Sequence, residues 1–471
     1  MNALCWFRTD LRVHDNPALT QAMADGPTLA VFVISPKQWQ QHLEAPIKVD
    51  FWLRNLTELK QALHALNVPL KILHTDDWQD VPDKLAALCS AHDVTAVHAN
   101  AEWGINERRR DIATVERLDR DGVTWTVHHG SSLLIPGSVV TGKGEAYKVF
   151  TPYARACRER LQSAPPRAAP VPRKQAKAPA AADTIPHSVP AFDAPDRALH
   201  KLWPAGEDAA LARVEAFADD AIAHYKTDRD IPAIDGTSRI SPYLAAGVIS
   251  PGQCLRVALA ANHGELDSGK QGITTWITEL LWREFYQHLM AANPSPHAGV
   301  DNGKPATRDI PWRDDPDAFD AWTAGRTGFP IIDAGMRQLM EMGWMHNRLR
   351  MLVAMLLSKN LLIDWHKGED WFMANLIDGD LASNNGGWQW SASTGADSVP
   401  YFRIFNPETQ SRNIDPQGRY IRKWVPELAD LNDRDIHAPS AQQRRDTGYP
   451  EAIVDLKATR KRALEVFKSL G

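Results

Sequence analysis

The chain has 471 residues, enough for two or three domains with a sizeable core. An apolar fraction of 44% and a charged fraction of 24% are those of a globular protein and exclude a disordered chain. A net charge of −5 excludes a uniformly basic nucleic-acid binder, so any contact with nucleic acid must come from a local patch.

Arg8, Asp10, Arg12 and Asp15 interrupt the start, which argues against a signal peptide. Cys5, Cys89, Cys157 and Cys254 are scattered without a C-x-x-C pair. This is expected of a reducing cytoplasm and not of a disulfide framework or a metal site. The longest apolar run, MLVAMLL at 351–357, is too short to span a bilayer.

Residues 2–130 alternate buried strand-like runs (3–7, 28–34, 70–75, 94–99 and 122–128) with helical stretches near 49–66, 80–92 and 105–119. Such alternation predicts an α/β domain with a parallel, Rossmann-like sheet covered on both faces. No G-x-G-x-x-G follows the first strand, which weakens a nicotinamide-dinucleotide reading. Residues 131–206 read as an interdomain connection, Pro- and Ala-rich from 164 onward and lying on the surface. Residues 207–471 read as a larger all-α domain. Ser241-Pro242 and Ser250-Pro251 each offer an N-cap followed by proline at the first helical position.

The unusual residues concentrate in this second domain. DGTSRISPYLAAG (235–247) combines hydroxyls and an arginine ahead of a helix, which suits a phosphate; it reads equally as a turn with N-caps, and alone favours that. In WITELLWREFYQH (276–288), Glu279, Trp282, Arg283 and Tyr286 share a helical face. They read either as a site wall or as a solvated Glu279–Arg283 pair beside a core tryptophan. In GWMHNRLRMLVAMLL (343–357), Asn347, Arg350 and Met351 share a face, and two arginines in so apolar a helix need partners. LIDGDLASNNGGWQWSASTGADSVPYFRIFNP (376–407) is too aromatic for a solvated loop and too polar for a core. A polar planar heterocycle would satisfy its Asp and Asn side chains.

WREFYQHL, GWMHNRLRM, IDGDLASNNGGWQW and PYFRIFNP, with CWFRTDLRVHDNPAL near the start, resemble the photolyase–cryptochrome family over nearly the whole chain. The likeness is to bacterial class I cyclobutane pyrimidine dimer photolyases, carbon–carbon lyases that repair DNA with light. It implies a helical domain holding FAD, active in its reduced anionic form. Tyr225, Thr237, Ser238, Arg239, Ile240 and Ser241 would lie along the phosphates and ribose. Arg350, Asp378, Gly379, Asp380 and Asn384 would lie around the ring, with Trp276, Glu279, Arg283 and Asn347 also beside the cofactor. Trp312, Trp365 and Trp388 match an electron relay.

The resemblance further implies a lesion flipped from UV-damaged DNA into a pocket. Trp282, Trp390 and Met351 would pack on it, and Glu279 and Asn347 would hydrogen-bond it; Glu279 and Asn384 carry the catalytic expectation. Arg229, Arg283, Arg348, Arg403 and Gln410 would contact DNA. His42, Asn106 and Glu107 match a site for a methenyltetrahydrofolate antenna. Near relatives by pattern carry a Cys-Lys pair where this chain reads Pro296-His297-Ala298, so a deazaflavin is the alternative antenna. A monomer with no metal is expected. The competing readings are a cryptochrome photoreceptor, a photolyase of the six–four type, which would use histidines where Asn347 and Met351 stand, a single-strand-specific relative, and an unrelated nucleotide-binding α/β protein.

Overall fold

The computed structural model describes residues 2–292 and 305–470, so Pro296-His297-Ala298 lie outside the described residues. The expected α/β and all-α parts are both present. Strands β1 (Asn2–Trp6), β2 (Thr28–Ile34), β3 (Leu70–His74), β4 (Val94–Asn100) and β5 (Thr124–His128) pair in parallel in the order β3-β2-β1-β4-β5.

The side chains of β1 and β2 alternate between two cores, as a strand's period of two requires. Ala3, Cys5, Ala30 and Phe32 face one core; Leu4, Trp6, Leu29 and Val31 face the other, with Leu85 and Leu118. Four helices cover these faces: α1 (Pro17–Asp25), α2 (Pro36–Gln41), α3 (Pro46–Ala65) and α4 (Val81–Ala91). A fifth, α5 (Ile105–Asp119), packs on α4. α1 and α2 were not anticipated; the Asn16 side chain and Pro17 start α1, a short-range signal that the strand pattern obscures. Strand order reverses about β1, between β2 and β4, which opens a crevice at the carboxyl ends of the strands.

The connection contains a helix, α6 (Phe150–Ser163), before its Pro- and Ala-rich part. That part runs along β3. The Asp183 N–H donates to the Leu70 carbonyl (2.8 Å) and its carboxylate accepts from the Ile72 N–H (2.9 Å), so the open edge of the sheet is occupied.

Buried polar contacts seat the two domains. Arg12, 1% exposed, donates to the carbonyls of Gly247 (3.0 Å), Asp15 (2.9 Å) and Gly130 (2.6 Å). Gly247 has φ +65°, and a Cβ there would stand 2.0 Å from the Thr9 carbonyl, so the domains could not approach this closely with another residue. Ser250 caps the Pro251–Ala261 helix in a capping box with Gln253, as its sequence suggests. Ser241 does not cap. It is already the first residue of the Ser241–Ala245 helix, with Ile240 in the cap position, and its hydroxyl donates to Asp378. Among the described residues no helix is long and apolar enough to cross a membrane.

Candidate active site

The long Gln271–Ala292 helix, the Asn347–Met355 helix and the Leu381–Ala392 helix converge on a cavity of about 590 Å³. Glu279, Trp282, Arg283 and Tyr286 enter from the first, and Asn347, Arg348, Arg350 and Met351 from the second. Asp378, Asp380, Asn384, Trp388 and Trp390 come from the third helix and the turn before it, with Arg229 and Ser241 alongside. The helix-face spacing thus gathers its residues as read. Gly386 makes one close approach possible: a Cβ there would lie 2.1 Å from the Tyr286 ring.

The floor is an ion pair between a buried acid and a half-buried arginine. Asp378, whose side chain is 3% exposed, accepts from Arg350 Nη2 (2.8 and 3.0 Å) and from Ser241 Oγ (2.6 Å), while Arg350 Nε donates to the Met345 carbonyl (2.8 Å). Neither charge is buried alone. Asp380 caps the Leu381–Ala392 helix, accepting from Ser383 N (2.8 Å) and Oγ (2.6 Å), and its other oxygen accepts from Gln287 (3.3 Å). Asn384 Nδ2 donates to the Glu369 carbonyl (3.0 Å), which leaves its Oδ1 as the amide group available to a ligand. Glu369 is itself buried, accepts from Asn385 (2.8 Å) and is pushed up to about 7 by burial.

The rim carries paired charges. Glu279 bonds Arg229, not Arg283, so the i,i+4 pair that the sequence allows is not made. Burial pushes the Glu279 carboxyl up and Arg229 draws it back. Arg283 instead donates to the Ser131 carbonyl (3.1 Å), turning its fork toward the interdomain connection. Arg348 pairs with Asp230 (2.6 Å). His346 caps its helix and does not line the cavity, in keeping with its place one residue before Asn347.

Several expected residues lie beside the cavity. Trp276 Nε1 donates to Ser238 Oγ (3.3 Å), and Phe217 packs between Trp276 and Tyr225. Arg239, at φ +47°, bonds Asp235 (3.0 Å) and lies over Trp344, whose Nε1 donates to Ser241 (3.3 Å). This ties the 237–241 segment to the Asp378 network. Arg239 Nε and His346 Nε2 are buried with no hydrogen-bond partner, which suits a polar ligand at this end.

Trp388 is 2% exposed and meets Phe372 edge-on (5.1 Å). A Cβ on Gly368 would lie 2.1 Å from the Trp388 ring, and Gly368 is one turn beyond Trp365 in the Trp365–Asn375 helix. Trp365 is 7% exposed and Trp312 is partly exposed, so the three tryptophans grade outward. Arg403 is exposed, and Gln410 sits half-buried in the Pro407–Ile414 helix, both outside the cavity. Exposed Phe402 precedes Arg403.

Sequence reasoning missed Phe150. Its ring stacks on Trp282 at 3.6 Å and 7°, covering one indole face, and its N–H is held by Asp397 (3.2 Å). No local pattern links two residues so far apart in the chain.

A second cavity of about 160 Å³ lies between the domains, at the crevice beside β1 and β4. His42, Asn106 and Glu107 meet there: Asn106 Nδ2 lies 3.0 Å from His42 Nε2, and His42 Nδ1 lies 4.0 Å from Glu107. Burial and the charge of Glu102 push Glu107 up to about 7. Arg283, Asp380 and Gly379 line the far wall.

Residues 276–469 match the FAD binding domain of DNA photolyase, and residues 3–173 match the DNA photolyase domain. The chain belongs to the DNA photolyase family. It is 43% identical to the deoxyribodipyrimidine photo-lyase of Vibrio cholerae over 99% of both chains. Its fold is similar to a class III photolyase from Agrobacterium tumefaciens (TM-score 0.84, 34% identity, 100% of this chain and 97% of that one). It is similar also to a cryptochrome from Synechocystis (TM-score 0.86, 28% identity, 99% of each). The expected fold class, FAD-binding helical domain and lyase class all agree with these matches.

Proposed function

We propose that this chain repairs cyclobutane pyrimidine dimers in DNA with light. The observation that carries the reading is one cavity in which Trp282, Trp390 and Met351 stand beside Glu279 and Asn347, over a floor of Arg350, Asp378 and Asn384. An apolar wall with two hydrogen-bonding groups suits a flipped, covalently joined base pair. The floor suits the isoalloxazine ring: Asp380 can accept from an imide N–H, Asn384 Oδ1 from a ring N–H, and Arg350 stays compensated by Asp378. FAD, when bound in its reduced form, supplies the light absorption and the one-electron chemistry that opens the cyclobutane ring, with no net redox change.

The chain's own part is binding, orientation and exclusion of water. Phe150 fixes the Trp282 plane, so that indole offers one face to a lesion. Glu279, raised by burial, is poised to hydrogen-bond a base carbonyl or imide. Arg229, Arg348 and Arg403 supply the local cations that a net-acidic body needs for phosphates, and exposed Phe402 beside Arg403 suits the gap left by flipping. The graded tryptophans support electron delivery that keeps the flavin reduced. In the interdomain cavity, His42, Asn106 and Glu107 support an antenna, methenyltetrahydrofolate by their match. A monomer acting in the cytoplasm completes the proposal.

The test is to purify the protein, record its visible spectrum with and without reductant, and mix it with UV-irradiated oligothymidylate in light and in darkness. Light-dependent loss of dimers is expected. A bound flavin without such loss would overturn repair in favour of a photoreceptor.

A further inference from the structure

Lys48 belongs to the α/β domain yet ends on the backbone of the helical domain. It lies at the start of α3 and is 5% exposed. Its ammonium donates to Glu44, four residues earlier, and to the carbonyl of Gly379, and it lies 4.9 Å from the centre of the Trp52 ring. A buried ammonium is costly unless fully partnered, and here a carboxylate, a carbonyl and a ring face offset that cost. An i,i+4 pair alone would serve equally well on the surface.

Gly379 separates Asp378 from Asp380. Both aspartates line the larger cavity, and Gly379 and Asp380 also line the interdomain cavity with Lys48. The peptide joining Gly379 to Asp380 is trans and planar, so holding its carbonyl toward Lys48 turns the Asp380 N–H the opposite way. The same plane ends at the α-carbon of Asp380, so holding it limits rotation at the residue that carries that carboxylate.

We propose that Lys48 is a positioning residue for the flavin: from the α/β domain it fixes the Gly379–Asp380 peptide, and with it the Asp380 carboxylate, which stands with Asp378 at the ring edge. This rests on the reading that sets the isoalloxazine ring against those two residues. The first domain is then part of the flavin site, whatever antenna it holds.

The experiment compares full-length FAD-loaded parent, Lys48→Met, Lys48→Arg and Asp378→Asn. Lys48→Met keeps the packing stem and removes the donor. FAD should leave it about tenfold faster, the loss of one charge-assisted hydrogen bond acting on the site. The visible bands of bound oxidised flavin should shift, and Lys48→Arg should restore both readouts toward the parent. A merely structural lysine would lower the melting midpoint equally with and without FAD and leave the flavin spectrum alone; that result overturns the proposal. So does an arginine variant that behaves like the methionine one. If Asp378→Asn moves the spectrum while Lys48→Met does not, Lys48 is excluded and the ring site stands. If neither moves it, the ring site itself is wrong. Should Lys48→Met not fold, Lys48→Gln, a shorter neutral donor, is judged by the same two readouts.

Discussion

Replacing Glu369 by glutamine should make the protein more stable at alkaline pH. Glu369 is 5% exposed, and its carboxyl is pushed from 4.5 to about 7 by burial, with the Asn385 hydrogen bond and His366 pulling it back. The folded chain therefore holds this proton more tightly than the unfolded chain does. The resulting stability is complete below pH ~4.5 and is lost as pH rises through about 7. At about 1.4 kcal/mol per pH unit, that gap comes to roughly 3 kcal/mol by pH 8. Glutamine keeps the shape and stays neutral, so it escapes the loss and can still accept from Asn385. The assay is the thermal midpoint of parent and Glu369→Gln between pH 5 and pH 8. The difference should be small at the acid end and grow to several degrees at the alkaline end. Half-buried His128 and buried His288 and His346, each lowered to about 4, give an opposite slope below pH ~6.5, common to both proteins, which cancels in the difference. A difference that stays flat across the range would refute the reasoning, because Glu369 would then be ionised in the fold.

Trp388→Phe should slow photoreduction of oxidised flavin at least tenfold, on the order of a relay step lost, and spare repair once the flavin is reduced chemically; lost repair in that state would remove it from the relay. Asp230→Asn should release Arg348, strengthen binding to undamaged DNA severalfold and steepen its salt dependence, read by anisotropy titration at several salt concentrations. An unchanged slope would take Arg348 out of the phosphate contacts. Asp378→Asn strips Arg350 of its counter-charge and should cost about 2–3 kcal/mol, read as a roughly hundredfold weaker hold on FAD in a dilution assay. Glu279→Ala should lower repair yield with FAD retained, measured by dimer loss against flavin absorbance; loss of the flavin would make its role structural.

Local chemistry made much of this legible. Runs such as TLAVFVI, short and β-branched, read as buried strands, and their alternation with helices predicts a covered parallel sheet. Helical spacing put Glu279 and Trp282, and likewise Asn347 and Met351, on shared faces before any contact was known. The density of Asp, Asn, Gly and Trp at 378–390 announced a buried polar ligand, and the motifs named it.

Partner choice was not legible, because an arginine or lysine takes whichever carboxylate or carbonyl the docking of separate helices brings within reach. The i,i+4 spacing allows Arg283 to pair with Glu279; the fold gives Glu279 to Arg229 and Arg283 to Ser131. The sequence offers Ser241 as a helix cap; the fold puts Ile240 in the cap position and turns the Ser241 hydroxyl to Asp378, 137 residues away. Sequence alone thus determined the sheet, the helical faces and the kind of ligand, all set by short-range spacing. Only the tertiary structure decided that Phe150 backs Trp282 and that Lys48 reaches Gly379 across the domain boundary, since those contacts exist only once the two domains are packed.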